Sequence, residues 1–380
     1  MIDWAKVRLD FPVTETCAYF MNAAMSPPPR QVYEAVTAGY ERFYRDGDIH
    51  WPEDMDRYRA ICARLARLIN AGPDDITFAP NTSTAMGLLS LSFKQQAPAP
   101  FNVVSMHDEF PASTVGYEYL GIPMRYAKPE AGRYPVEAIL KLTDDRTLAV
   151  VTSYVQYSTG FRQDLSALGR ELSDRGIMLI VNATQGLPFY PVDVQAMHID
   201  ALTASLHKWG LTGHVGSLFY TSAAFRKRFS SPLAGWLSIA CEDDEGIPTG
   251  KNEAFKLLGS AHRYEFGTFN LIPILGFGAA LDYMECIGFE NIRGRIRELT
   301  DHLIRGLRSL GVAIVSPVDL DSERSAIVSF TLGDKNAACF KKLEEAKVYV
   351  SLRAGFIRVS VNFFNNPPDI DRLLEVLKSL

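Results

Sequence analysis

The chain has 380 residues, 47% of them apolar and 22% charged, the balance of an ordinary globular protein with room for more than one core region. Its formal net charge of −5 provides no basic field to attract nucleic acid or an anionic membrane, so the expected partners are small molecules. The five scattered cysteines, Cys17, Cys62, Cys241, Cys286 and Cys339, show no Cys-x-x-Cys spacing, which predicts reduced thiols, no metal centre and a cytoplasmic location.

The opening run MIDWAKVRLDF lacks the basic and long apolar regions of an export signal. No apolar run approaches the roughly 20 residues that span a bilayer. In chain order, short β-branched runs at Phe101–Val104, Thr147–Thr152, Met178–Val181, Ala201–Ala204 and Gly216–Tyr220 read as buried strands. Amphipathic segments lie between them, such as Asp164–Arg175 with Leu165, Leu168 and Leu172 on one stripe. That alternation predicts an α/β fold with a mostly parallel sheet flanked by helices. From Ile274 to Leu310 the spacing of Ile292, Ile296, Leu299, Leu303, Leu307 and Leu310 predicts one or two long helices. Strand-like runs at Ala326–Leu332 and Ile357–Val361 follow, then a final helix opened by Pro368 and Asp369. The expected organisation is a large α/β domain over residues 20–275 and a smaller α+β domain over 276–380, completed by residues 1–19.

The segment Thr203-Ala-Ser-Leu-His-Lys-Trp-Gly210 places Lys208 just past an apolar strand, at the sheet edge where open α/β folds hold their ligands. Apolar neighbours and Trp209 would destabilise its ammonium and free a nucleophilic amine. Taken alone, a lysine there is more often an exposed surface residue. Four further segments change that weighting. These are Phe78-Ala-Pro-Asn-Thr-Ser-Thr-Ala85 opening a helical pattern, Val181-Asn-Ala-Thr-Gln185 at a strand end, Arg263-Tyr-Glu-Phe-Gly-Thr-Phe-Asn270, and Ile357-Arg-Val-Ser360.

Together, and in this order from about Tyr19 to the C-terminus, these segments resemble the fold-type I class-V aminotransferase and cysteine desulfurase superfamily. The resemblance implies that Lys208 carries pyridoxal 5′-phosphate as an internal Schiff base. It also implies that Ser83, Thr84, Ser205 and His207 hold the phosphate, that Gln185 reaches the phenolic oxygen, and that Asn182 stands at the ring nitrogen. Phe110, in the segment HDEFPAST, takes the place of the ring stacked on the pyridine, in a Phe-Pro setting similar to that of kynureninases. Arg358, with Asn22, would receive the substrate; a planar guanidinium suits an α-carboxylate, and Arg353 is the competing candidate. Thr268 would reach a second subunit's phosphate, which implies a homodimer with shared active sites.

Two departures from the family pattern shape the expected reaction. Where the family has an aspartate, residue 182 is asparagine, and at an effective dielectric near 20 a carboxylate about 4 Å away is worth roughly 4 kcal/mol to a pyridinium. The electron sink is therefore expected to be weaker than in ordinary transaminases. The loop Val348–Gly355 lacks the reactive cysteine of desulfurases, which argues against a persulfide-forming enzyme. The expectation is thus a class-V aminotransferase-like enzyme acting at an amino acid's α-carbon. Its alternatives are a carbon–sulfur or other β-lyase, an epimerase similar to isopenicillin N epimerase, and a catalytically silent cofactor-binding module.

Overall fold

The computed structural model describes residues 2–240 and 255–379, so Cys241 lies outside the described residues. Thirteen strands occur among these residues: β1 Ala18–Tyr19, β2 Ile76–Ala79, β3 Asn102–Met106, β4 Met124–Ala127, β5 Thr147–Ser153, β6 Met178–Asn182, β7 Ala201–Ser205, β8 Ser217–Thr221, β9 Ala313–Ile314, β10 Ile327–Thr331, β11 Val348–Tyr349, β12 Ser351–Arg353 and β13 Phe356–Ser360. Seven form the main sheet in the order β2-β8-β7-β6-β5-β3-β4. Pairing is parallel throughout except at β8, which runs antiparallel to both β2 and β7.

Every residue of β3, β5, β6 and β7 is buried. That explains why these strands read as continuous β-branched runs: a parallel sheet has both faces covered by its crossover helices. The helix Leu165–Asp174 shows how local chemistry sets the boundaries. Asp164 accepts from the Ala167 N–H at its start, and Leu165, Leu168 and Leu172 bury one stripe.

The long helical region is two helices, Leu271–Ile287 and Phe289–Ser309, meeting at 77°. Gly288 sits between them at φ 88°, a conformation that costs a side chain with a Cβ and so favours glycine. The first of these helices packs on Arg30–Asp46 and Trp51–Leu68. No single helix among the described residues is long and apolar enough to cross a membrane.

A smaller antiparallel sheet, ordered β12-β13-β10-β9, is backed by Phe289–Ser309 and Asn336–Glu345, against which the final helix Pro367–Lys378 packs. That last helix begins with a capping box between Asn366 and Asp369. The N-terminal segment ties this sheet to the rest. Met21 bridges Ser360, the Ser360 N–H donates to the Phe20 carbonyl at 3.0 Å, and Asn22 Nδ2 donates to the Ser360 carbonyl at 2.8 Å. The strand carrying Arg358 is thereby clamped against the main sheet.

Candidate active site

The parallel strands deliver their C-terminal ends to one edge of the main sheet. β5 ends on Ser153 and β6 on Asn182, which pair with each other. β7 ends on Ser205, opposite Ser217 at the start of the reversed strand β8, and β2 ends on Ala79 across from the same Ser217. Over this edge lies a cavity of about 310 Å³ whose lining includes Phe110, Asn182, Gln185, Lys208, Arg353 and Arg358. Residues from five of the segments singled out in the sequence meet here.

Lys208 is 9% exposed, and its side chain makes no hydrogen bond or ion pair among the described residues. Its ammonium lies 5.3 Å from the centre of the Phe110 ring. Burial, and then the nearby guanidinium groups of Arg358 and Arg353, lower its pKa from the ordinary lysine value to about 7. Both causes disfavour the charged form, so a neutral amine is accessible near physiological pH. The adjacent His207 is driven down to about 4 by burial, Lys208 and His214, and stays neutral above that pH.

One wall of the cavity is a cluster of hydroxyls. Thr82 Oγ1 lies 2.7 Å from Ser205 Oγ and 3.0 Å from Ser217 Oγ, and the two serine oxygens are 3.1 Å apart. Thr82 also begins the helix Thr82–Gln96, where Asn81 Oδ1 caps the Thr84 N–H at 2.8 Å. The first N–H groups of that helix, on Thr82 and Ser83, carry no intrahelical partner and present the positive end of the helix dipole. Ser83 lines the cavity, whereas Thr84 does not; its hydroxyl donates to Asn81 at 3.1 Å.

Joined to this cluster through Thr184 is an amide network. Asn182 Oδ1 accepts from the Thr184 N–H at 3.1 Å, and its Nδ2 donates to Ser113 Oγ at 3.0 Å. Gln185 Nε2 donates to the Ala23 carbonyl at 2.9 Å, and its Oε1 accepts from the Trp209 indole at 2.8 Å. Trp209 is buried and so holds Gln185 in place from behind.

Of the two candidate arginines, Arg358 is 2% exposed and donates to the Tyr157 carbonyl at 2.8 Å. Burial first, then Arg353, lowers its pKa to about 10. It remains a cation with its Nε unpartnered, ready for a carboxylate. Arg353 is exposed at the cavity mouth and donates to the Leu352 carbonyl.

Besides Thr84, two expected residues stand apart from this cavity. Asn22 is fully buried, with its amide committed to the Ser360 carbonyl and to Ser26 Oγ, so it steadies β13 and does not face a substrate. Thr268 lines a neighbouring cavity of about 660 Å³ that shares Asn81 and His207 with the first. Sequence reasoning also missed Glu109, a buried carboxylate next to Phe110. It accepts from the Ser153 N–H at 2.5 Å and from Ser153 Oγ at 2.6 Å. Its only sequence signal was adjacency to Phe110, inside a polar stretch that otherwise reads as a solvated loop.

The family model for Aminotransferase class-V matches residues 18–373, and the chain belongs to that family. It is a pyridoxal-phosphate-dependent enzyme. Among curated relatives, a probable cysteine desulfurase from Streptomyces coelicolor is 27% identical, over 100% of this chain and 97% of its own length. One from Pyrococcus abyssi is 26% identical over 98% and 96%. The fold matches the apo cysteine desulfurase of Thermococcus onnurineus with a TM-score of 0.89 at 23% identity, covering 100% of this chain and 98% of that one. It also matches the cystine C–S lyase C-DES in complex with its reaction product cysteine persulfide, with a TM-score of 0.84 at 21% identity over 97% and 98%.

These findings correct the functional expectation drawn from the sequence. Amino transfer does not lead, because the named relatives are desulfurases, and the carbon–sulfur lyase alternative is the better supported one. The exclusion of persulfide chemistry also falls. It rested on the missing thiol in Val348–Gly355, yet curated relatives that align over nearly the whole chain are named cysteine desulfurases.

Proposed function

We propose that this protein is a pyridoxal-phosphate-dependent carbon–sulfur lyase acting on cysteine or a cysteine-derived amino acid. The observation that carries the reading is Lys208: a buried amine, free of partners and with a lowered pKa, facing an aromatic ring and sharing its cavity with a buried arginine. The names of the relatives supply the carbon–sulfur bond as target.

The residues present fit the cofactor. The N–H groups of Thr82 and Ser83, with the hydroxyls of Ser83, Thr82 and Ser205, offer neutral donors to a phosphate at a helix N-terminus. Phe110 would cover one face of the ring, Asn182 would meet its nitrogen, and Gln185 has a remaining N–H for the phenolic oxygen. His207, kept neutral, adds no competing charge. Thr268, in the adjoining cavity, would reach a second copy's phosphate in a homodimer. When bound, pyridoxal phosphate supplies the electron sink for the pair left at an amino acid's α-carbon.

Arg358 would fix the α-carboxylate and so orient the α-hydrogen toward Lys208. The neutral Lys208 amine would take that proton as general base. Its lowered pKa suits the task, since an ordinary lysine is almost wholly protonated at pH 7. Loss of the β-sulfur as a leaving group then follows at a site that holds the substrate by its carboxylate end.

The test is incubation of the loaded enzyme with a panel of amino acids, assaying sulfide or persulfide, keto acid and ammonia. Sulfur release from cysteine or cystine is expected, falling at least about 10³-fold in Lys208→Ala through loss of the general base and cofactor anchor. Keto acid formation from sulfur-free amino acids, with no sulfur released from any substrate, would falsify the reading.

A further inference from the structure

The hydrogen bonds beneath Asn182 have a fixed direction. A backbone N–H can only donate, so the Thr184 N–H at 3.1 Å must face Asn182 Oδ1, and Nδ2 must face Ser113 Oγ at 3.0 Å. Having accepted that bond, the Ser113 hydroxyl turns its own proton onward. The Glu109 carboxyl accepts from the Ser153 N–H at 2.5 Å and the Ser153 hydroxyl at 2.6 Å, and Ser113 and the Phe110 N–H also favour its charged form. Burial raises the Glu109 pKa to about 7, so at pH 8 it is mainly a carboxylate, which accepts and returns no proton. The network is therefore polarised from both ends, by a peptide N–H at one and by Glu109 at the other. What remains is the second Nδ2 hydrogen of Asn182, which has no acceptor among the described residues although the side chain is 4% exposed and lines the cavity. An unmatched donor at a buried site calls for a lone pair, since a second donor there would leave both groups unsatisfied.

We infer that Glu109 is a positioning residue that, through Ser113, locks Asn182 as a hydrogen-bond donor and so holds the cofactor's ring nitrogen unprotonated. This rests on the placement of Asn182 at that nitrogen argued above. An aspartate at 182 would act in the opposite sense, accepting a proton's bond and favouring the charged ring. The buried carboxylate is thus present in the site but stands one serine away, where it sets an orientation instead of forming an ion pair.

The holoenzyme is reconstituted with pyridoxal phosphate labelled with ¹⁵N in the ring, and the ring-nitrogen resonance is read at pH 8. In the native protein it should lie in the unprotonated range, displaced by a hydrogen bond. Glu109→Gln and Ser113→Ala should both move it toward the free unprotonated cofactor, Glu109→Asp should restore part of the displacement, and Asn182→Asp should carry it to the protonated range. Ser113→Ala leaves Ser153 holding Glu109, so it still reports if the Gln variant fails to fold. A protonated ring in the native protein overturns the inference, as does a native resonance retained in both Glu109→Gln and Ser113→Ala. If Asn182→Asp leaves the signal unmoved, the placement of Asn182 at the ring nitrogen is what fails.

Discussion

The hydroxyl wall and the carboxylate wall of the Lys208 cavity are made of similar small polar groups and behave differently. Thr82, Ser205 and Ser217 form a triangle in which every member can donate or accept, so their protons can rotate to meet an incoming anion. Ser113 has the same hydroxyl but accepts from the Asn182 amide and stands by the buried Glu109, whose charged form it favours. One anionic anchor is enough to turn an adaptable cluster into a fixed one.

That contrast can be broken in order of expected size. Replacing Glu109 by Ala strands the donors of Ser153, Ser113 and Phe110, and should cost about 3 kcal/mol of unfolding free energy in urea titration of the apo protein. If the loss is as small as for Ser205→Ala, about 1 kcal/mol, the carboxylate wall is no stiffer than its counterpart. Lys208 should capture added cofactor with a strongly pH-dependent rate. Its pKa of about 7 means that the reactive neutral amine grows about tenfold from pH 6 to pH 8 and then saturates. Stopped-flow absorbance on apo protein checks this; a rate that keeps climbing past pH 9 would mark an ordinary, solvated lysine. The smallest effect is expected from Ser205→Ala on cofactor affinity, about fivefold weaker in equilibrium dialysis, because neighbouring hydroxyls can turn to compensate for one lost donor.

The fold was readable where burial left a simple trace. β5, β6 and β7 are buried along their whole length, and their apolar runs lie within a residue of the observed strands. β4, with the sequence MRYA at the sheet edge and Arg125 exposed, carries no such run, and the four-residue β2 was absorbed into the turn before Asn81. Whether residues 274–310 formed one helix or two depended on the backbone of Gly288, which periodicity does not register. Asn182 and Ser205, singled out through the motifs they belong to, lie at strand ends that line the cavity. Asn22 and Thr84 do not line it, because their side chains turn to backbone or capping partners a few ångströms from the cavity. Glu109 escaped notice for a related reason: an acidic residue in a connecting loop gives no sign of burial until the strand beside it is in place. The reaction, finally, was misjudged by reading a missing thiol as a missing chemistry.

The reversal at β8 gives Lys208 a short tether. Residues 206–216 carry Lys208 and also serve as the only connection between β7 and the antiparallel strand beside it. Ser205 closes that hairpin at one end and Ser217 at the other, and both belong to the hydroxyl triangle. Adding or deleting one residue in the loop would either displace Lys208 or slip the pairing, and a one-residue slip would turn Ser217 to the other face of the sheet. Its length is therefore set by two demands at once, and lineages of this enzyme should vary in sequence there far more readily than in residue count.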